Sequence, residues 1–130
     1  MLAEHPLDVM LLAADLAVAK NFYEEKVGLQ MLLENEDFLS FKCGGTSRLV
    51  ITRSTTGTQE TQTKACWRVD DIAAEVAELR RRGVEIVEYD EPELTTTDGV
   101  ADVGFALAAW FNDPCRNNIG LLQFKSEGLN

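Results

Sequence analysis

The sequence predicts an α+β protein of two tandem βαβββ modules forming a curved mixed sheet with a concave ligand cleft. Three observations predict it. Each half carries a short apolar strand, an Asp placed to cap a helix, an amphipathic helix and a terminating Gly. The spacings from Asp15 to Gly28 and from Asp71 to Gly83 agree within one residue, as an internal duplication requires. The polar stretch STTGTQETQ, residues 54–62, separates the halves as a linker.

In the first half, LDVMLLA (residues 7–13) reads as a buried strand. Asp15 caps a helix on which Leu16, Ala19, Tyr23 and Val27 share one face, and Gly28 stops it. Strands follow at 29–34, 38–43 and 48–53, broken by the acidic turn NEDF and the turn GGTS. The second half opens with a strand at 63–69. Asp71 caps a helix with Ile72, Val76 and Leu79 on one face, ended by Gly83. A strand at 84–89, the loop DEPELTTTDGVAD and strands at 104–112 and 118–124 complete it. Module one covers 1–53 and module two 63–130, and a chain of 130 residues is expected to be a single domain. One helix cannot cover both faces of a sheet. Two modules side by side therefore put their helices outside and leave an inner face to line a cavity.

Composition narrows the function. With 45% hydrophobic and 26% charged residues the chain belongs with folded soluble proteins, not disordered ones. No apolar run approaches the roughly 18 residues of a membrane span, and MLAEHPLDVM lacks the basic flank and apolar core of a secretion signal, so a cytoplasmic protein without membrane partners is expected. Cys43, Cys66 and Cys115 are odd in number and lack Cys-x-x-Cys spacing, which argues against a disulfide framework and a zinc knuckle. A net charge of −10 argues against nucleic acid and favours cationic partners. The basic run at 80–82 falls at a helix end, where it complements the helix dipole.

Three stretches, AADLAVAKNFYEEKVGLQ (13–30), WRVDDIAAEVAELRRRGVEI (67–86) and WFNDPCRNNIGLLQ (110–123), resemble in order and spacing the vicinal oxygen chelate superfamily of glyoxalases, extradiol dioxygenases and bleomycin resistance proteins. The resemblance covers nearly the whole chain. It implies the tandem βαβββ fold and, in the enzymes, a divalent ion held by His, Glu or Gln, His and Glu from the first, fourth, fifth and last strands. Laid on that pattern, this chain offers Asp8, Lys64 and Gly120, and RLVITR (48–53) offers no carboxylate, amide or imidazole. The single histidine, His5, cannot build a two-His site and precedes Pro6 near the terminus. No metal and no cofactor are therefore expected.

If the alignment holds, the Lys64 ammonium takes the place of the ion and pairs with Asp8; the alternative is an ordinary surface lysine at a strand start. Alternation puts Cys66 and Arg68 on the face of Lys64 and sends Ala65, Trp67 and Val69 toward the helix. Arg68 suits a carboxylate or phosphate, or an internal ion pair. Of Trp110 and Phe111, one must face the cavity, where an aromatic face stacks planar or cationic ligands. The expected ligand-binding residues are Asp8, Lys64, Arg68, Trp110 and Phe111, with Met10, Leu12 and Leu122 as apolar wall. Cys115-Arg116 replaces the acidic residue and glycine usual in the family's turn, where a position with positive φ would cost a non-glycine residue about 1 kcal/mol. Cys115 has no activating His nearby and is assigned no catalysis.

The first functional reading is a metal-free small-molecule binding protein, similar to the antibiotic-sequestering bleomycin resistance branch, taking a cationic or aromatic ligand and working as a homodimer. The alternative is an enzyme, a lyase, isomerase or dioxygenase relative with a non-standard active site. A third is an interaction module whose cavity is filled by its own side chains.

Overall fold

The computed structural model describes residues 1–125; the expected second module's last five positions, 126–130, lie outside the described residues. The chain forms two compact units. The first is Met1–Thr61 with the returning turn Asp113–Asn117, and the second holds Gln62–Asn112 and the strand that follows the turn. Among the described residues no helix is long and apolar enough to cross a membrane.

In the first unit, strand β1 (Asp8–Ala13) leads through Asp15, whose carboxylate accepts from the Ala17 and Val18 N–H groups, into α1 (Leu16–Asn21). The helix continues as a π-helical segment, Phe22–Val27, before Gly28. The widened turn has a consequence that 3.6-residue periodicity misses. Phe22 and Tyr23, adjacent in sequence, both enter the core, with ring centroids 5.1 Å apart edge to face. Strands β2 (Gln30–Glu34), β3 (Phe38–Lys42) and β4 (Arg48–Arg53) follow, and the sheet order is β1-β4-β3-β2, with β4 parallel to β1 and the other pairs antiparallel. Leu11, Leu39, Phe41, Leu49 and Ile51 are buried on the face that α1 covers. Each such side chain contributes about 1.5–3 kcal/mol.

The turn Asp113–Asn117 is held in this unit by buried polar groups. Asp113 Oδ2 accepts from the Tyr23 hydroxyl (2.6 Å) and from Asn117 Nδ2 (2.9 Å), while its Oδ1 accepts from the Cys115 and Asn117 N–H groups, each at 2.8 Å. Asn117 Nδ2 also donates to the Leu12 carbonyl (2.9 Å), and its Oδ1 accepts from Thr58. A buried carboxylate is tolerated only with such donors. The expected linker is therefore no loose tether, since Thr58 is buried and Ser54 Oγ accepts from the N–H groups of Thr56 and Gly57. Arg116 takes the left-handed conformation, φ 74°, at the turn position where a glycine was missed in the sequence.

The second unit repeats the plan. Strand β5 (Thr63–Arg68) leads through the Asp71 cap into α2 (Ile72–Arg81), and the Ile72 N–H also donates to Gln123 Oε1 at 2.9 Å. At the far end Glu78 accepts from both Arg81 and Arg82, which holds its carboxyl near pH 2, and Arg80 pairs with Glu88 at 3.3 Å. The basic run is thus an ion-paired helix terminus. A short hairpin of β6 (Asp90–Glu91) and β7 (Leu94–Thr95) occupies the expected loop, followed by β8 (Ala101–Asp102), β9 (Ala106–Asn112) and β10 (Asn118–Phe124). The sheet order β5-β10-β9-β8 mirrors that of the first unit, with β10 parallel to β5.

The α+β fold of two repeated modules is as expected, each module carrying its own four-stranded mixed sheet, and one expectation needs correcting. The strand expected at 84–89 is reduced to a single bridge from Ile86 to Phe111, with the Val87 N–H donating to the Trp110 carbonyl at 2.8 Å. The reason is competition for one edge of β9: β8 takes that edge at Leu107 and Ala108, which leaves only the last part of β9 for 84–89.

Gly99 sits at φ +82° where an added Cβ would lie 2.7 Å from Ile86 Cγ2 and 3.3 Å from Val76 Cγ1, whereas Gly104, φ +98°, has nothing within 4 Å. We expect Gly99→Ala to cost about 2–4 kcal/mol, overpacking plus backbone strain, and Gly104→Ala about 1–2 kcal/mol from strain alone. Urea denaturation of the two variants checks the difference. Tyr23→Phe removes a donor from the buried Asp113 and is expected to cost about 1–3 kcal/mol at pH 7. Burial, reinforced by Asp113, raises the Tyr23 hydroxyl above its ordinary value. The contribution of Tyr23 is thus fully present below pH ~10 and is lost as pH rises further, because the unfolded chain releases the proton first. The stability gap between wild type and Tyr23→Phe should therefore narrow above pH ~10, measured by denaturation across pH. A gap that stays constant contradicts the assignment.

Candidate functional site

Strand alternation gives the first sheet one face under α1 and one open face, and cross-strand register arranges the open face in rows. Met10, Val50, Ser40 and Leu33 make the middle row. Leu12, Thr52 and Phe38 make the row on one side of it, and Asp8, Arg48, Lys42 and Gln30 the row on the other. A groove of about 290 Å³ lies over this face, running from Asp8 and Arg48 across Met10 and Val50 to Phe38. Its large apolar side chains are accessible: Met10 is 61% and Leu33 52% exposed. Apolar surface gathered this way on a folded protein marks a site for binding.

The polar end of the groove is a fork. Arg48 Nε donates to Asp8 Oδ1 at 3.0 Å and Arg48 Nη2 to Asp8 Oδ2 at 2.5 Å, with the two residues facing each other across β1 and β4. The Arg48 hydrogen bonds hold the Asp8 carboxyl below its ordinary range. The sequence singled out Asp8 but named Lys64 as its partner; both Asp8 oxygens accept from Arg48. The fork uses two of the five N–H donors of the guanidinium, and the Asp8–Arg48 pair itself carries no net charge.

The remaining sequence-named residues belong to the second sheet. Cys66, Gly120 and Trp110 stand abreast in register on its open face, with Arg68, Leu122 and Ala108 in the next row. Trp110 is half-buried and meets Tyr89 edge to face, centroids 5.3 Å apart. Phe111 lies on the opposite face, 1% exposed, opposite Ile119 and bridged to Ile86. Its ring is core, so of the pair it is Trp110 that remains available. Lys64 departs from simple alternation. Asn118 pairs with Thr63 and Ile119 with Ala65, which makes Lys64 the extra residue of a β-bulge. A bulge re-aims its side chain, and nothing in the local pattern of TKACWR announces it. Beside it, Thr63 Oγ1 donates to Asn118 Oδ1 at 2.6 Å and Asn118 Nδ2 donates to Asn112 Oδ1 at 3.0 Å, a polar cluster the sequence reading passed over.

These residues do not suit a divalent ion. Asp8 is committed to Arg48, Lys64 is a cation, and Gly120 supplies no donor. A Cβ at Gly120 would stand in ordinary contact with Cys66 Sγ and Thr63 Cγ2 at 3.4 Å and Trp110 Cδ1 at 3.6 Å. Among the described residues no three His, Cys, Asp or Glu side chains gather around a point. Nor is Cys115 a prepared nucleophile, because burial and the neighbouring Asp113 push its thiol up to about 11.

The profile of the glyoxalase/bleomycin resistance protein/dioxygenase superfamily matches residues 6–121. The chain is similar to TnmS3, an antibiotic binding protein from Streptomyces sp. CB03234, with 26% identity over 96% of this chain and 99% of that one and a TM-score of 0.69. A glyoxalase/bleomycin resistance protein from the same organism is 27% identical over 92% of this chain and 100% of its own, with a TM-score of 0.64. Lactoylglutathione lyase from Agrobacterium tumefaciens, 21% identical over 92% of this chain and 93% of its own with a TM-score of 0.63, shares the fold. No functionally curated protein matches the chain significantly. The matched span takes in both βαβ openings and most of β10, and on that ground the chain belongs to the glyoxalase/bleomycin resistance protein/dioxygenase superfamily.

Proposed function

We propose that this protein binds a small organic molecule on the open face of its first sheet without a metal ion, and that the molecule is an antibiotic or a similar toxic compound held out of reach of its target. The observation that carries the reading is the groove of the first sheet, where the accessible Met10 and Leu33 flank the buried Val50 and the paired Asp8–Arg48 fork closes one end. Similarity to an antibiotic binding protein supports the class of ligand. Asp8 acts through Arg48, whose remaining donors face the ligand. Trp110 offers a stacking surface, and Arg68 and Lys64 supply the positive charge of the second sheet. Phe111 packs the core instead. The working form is a homodimer in the cytoplasm.

An enzymatic reading, as a lyase, isomerase or dioxygenase relative, needs convergent acids, bases or metal donors. The described residues offer the Asp8–Arg48 fork and the Asn118 cluster, neither of which holds a proton in transit.

Two measurements test the proposal together. Protein purified without chelator and challenged with zinc, manganese, nickel and iron(II) is expected to retain none stoichiometrically by elemental analysis. In a thermal-shift panel of aromatic antibiotics, a true ligand at about 100 times its dissociation constant should stabilise the fold by about 2.7 kcal/mol, unchanged by EDTA. Stoichiometric metal, or stabilisation that EDTA abolishes, contradicts the proposal.

A further inference from the structure

Ser40 is out of place on the first sheet. It is 3% exposed, and its Oγ is the one buried side-chain polar atom among the described residues without a hydrogen-bond partner. Its flanking residues Leu39 and Phe41 point to the helix-covered core, so Ser40 points to the groove, which it lines. Its neighbours in register are Val50 on β4 and Leu33 on β2. Neither can bond a hydroxyl. An alanine would fill the same position without burying an unsatisfied group, and the hydroxyl therefore has a role in the bound state or none.

We infer that Ser40 is the polar anchor of the groove, and that the ligand is an uncharged, largely apolar ring molecule presenting one hydroxyl or carbonyl to Ser40 Oγ. This rests on the reading of that face as the ligand site. A hydroxyl both donates and accepts, which admits either partner group. Charge is disfavoured because the middle row carries none and the Asp8–Arg48 fork beside it is already paired, while Lys42, the remaining charge of that flanking row, is exposed and does not line the groove, so an ionic group seated on Ser40 would lose its hydration without a direct counter-ion. Oγ is covered in the free protein, and a ligand reaches it when the exposed Leu33 side chain beside it moves. The net charge of −10 then serves solubility and does not select the ligand.

The test uses 2-naphthol, its near-isostere 2-methylnaphthalene, and 2-naphthoate as probes at pH 7, titrated by calorimetry into wild type, Ser40→Ala and Leu33→Arg, the last of which fills the groove mouth. Wild type is expected to bind 2-naphthol about tenfold more tightly than 2-methylnaphthalene, and 2-naphthoate more weakly than either. Ser40→Ala should bind the two neutral probes alike and, without ligand, melt at a higher temperature than wild type. Leu33→Arg should bind none. Equal binding of the neutral probes by wild type, a preference that survives Ser40→Ala, tighter binding of 2-naphthoate, or a lowered melting temperature of Ser40→Ala overturns the anchor while leaving the groove as a site. Binding untouched by Leu33→Arg, or no binding by wild type, overturns both.

Discussion

Each module has a four-stranded sheet with two faces and a single helix to cover one of them. That imbalance organises the molecule. A sheet buried on one side needs apolar residues at every second position on that side, and Leu11, Leu39, Phe41, Leu49 and Ile51 meet the need beneath α1. An open face is ordinarily polar. Here the middle row leaves the apolar side chains of Met10 and Leu33 exposed instead, a choice that costs solubility. The proposed ligand would cover them.

The returning turn Asp113–Asn117 shows how polar burial is made tolerable. The Asp113 carboxylate accepts four hydrogen bonds, from Tyr23, Asn117 Nδ2 and two backbone N–H groups. Asn117 then links the turn to the Leu12 carbonyl and to Thr58. With those donors fixed, the backbone of the turn is determined closely enough that Arg116 occupies a conformation glycine would adopt more cheaply. Strain there is modest beside the cost of leaving a buried carboxylate unpaired. Leu12, whose carbonyl the turn engages, follows Met10 on the groove side of β1, so the same bonds brace the strand that lines the site.

Local chemistry was legible in the sequence wherever one segment decides the outcome alone. Asp15 and Asp71 cap their helices, and each module opens with the expected strand followed by its helix, because caps and apolar periodicity act within a few residues. What depends on pairing between distant segments was not legible. Arg48 is forty positions from Asp8 and meets it only through β1–β4 register. The bulge at Lys64 exists relative to β10, and the truncation of the strand at 84–89 exists relative to β8 and β9. Phe22 was hidden by a π turn that breaks the 3.6-residue period. Ser40, a small polar residue between Leu39 and Phe41, looks in sequence like ordinary strand alternation. Only register shows that its neighbours are Val50 and Leu33.

The central claim is that the open face of the first sheet is where the ligand lies. Amide and methyl NMR of isotope-labelled protein, recorded through a titration with the tightest ligand found, addresses it directly. The account predicts shift changes concentrated on Met10, Leu33, Phe38, Ser40 and Val50. Changes that leave those residues unmoved and cluster under α1 or around α2 would contradict it.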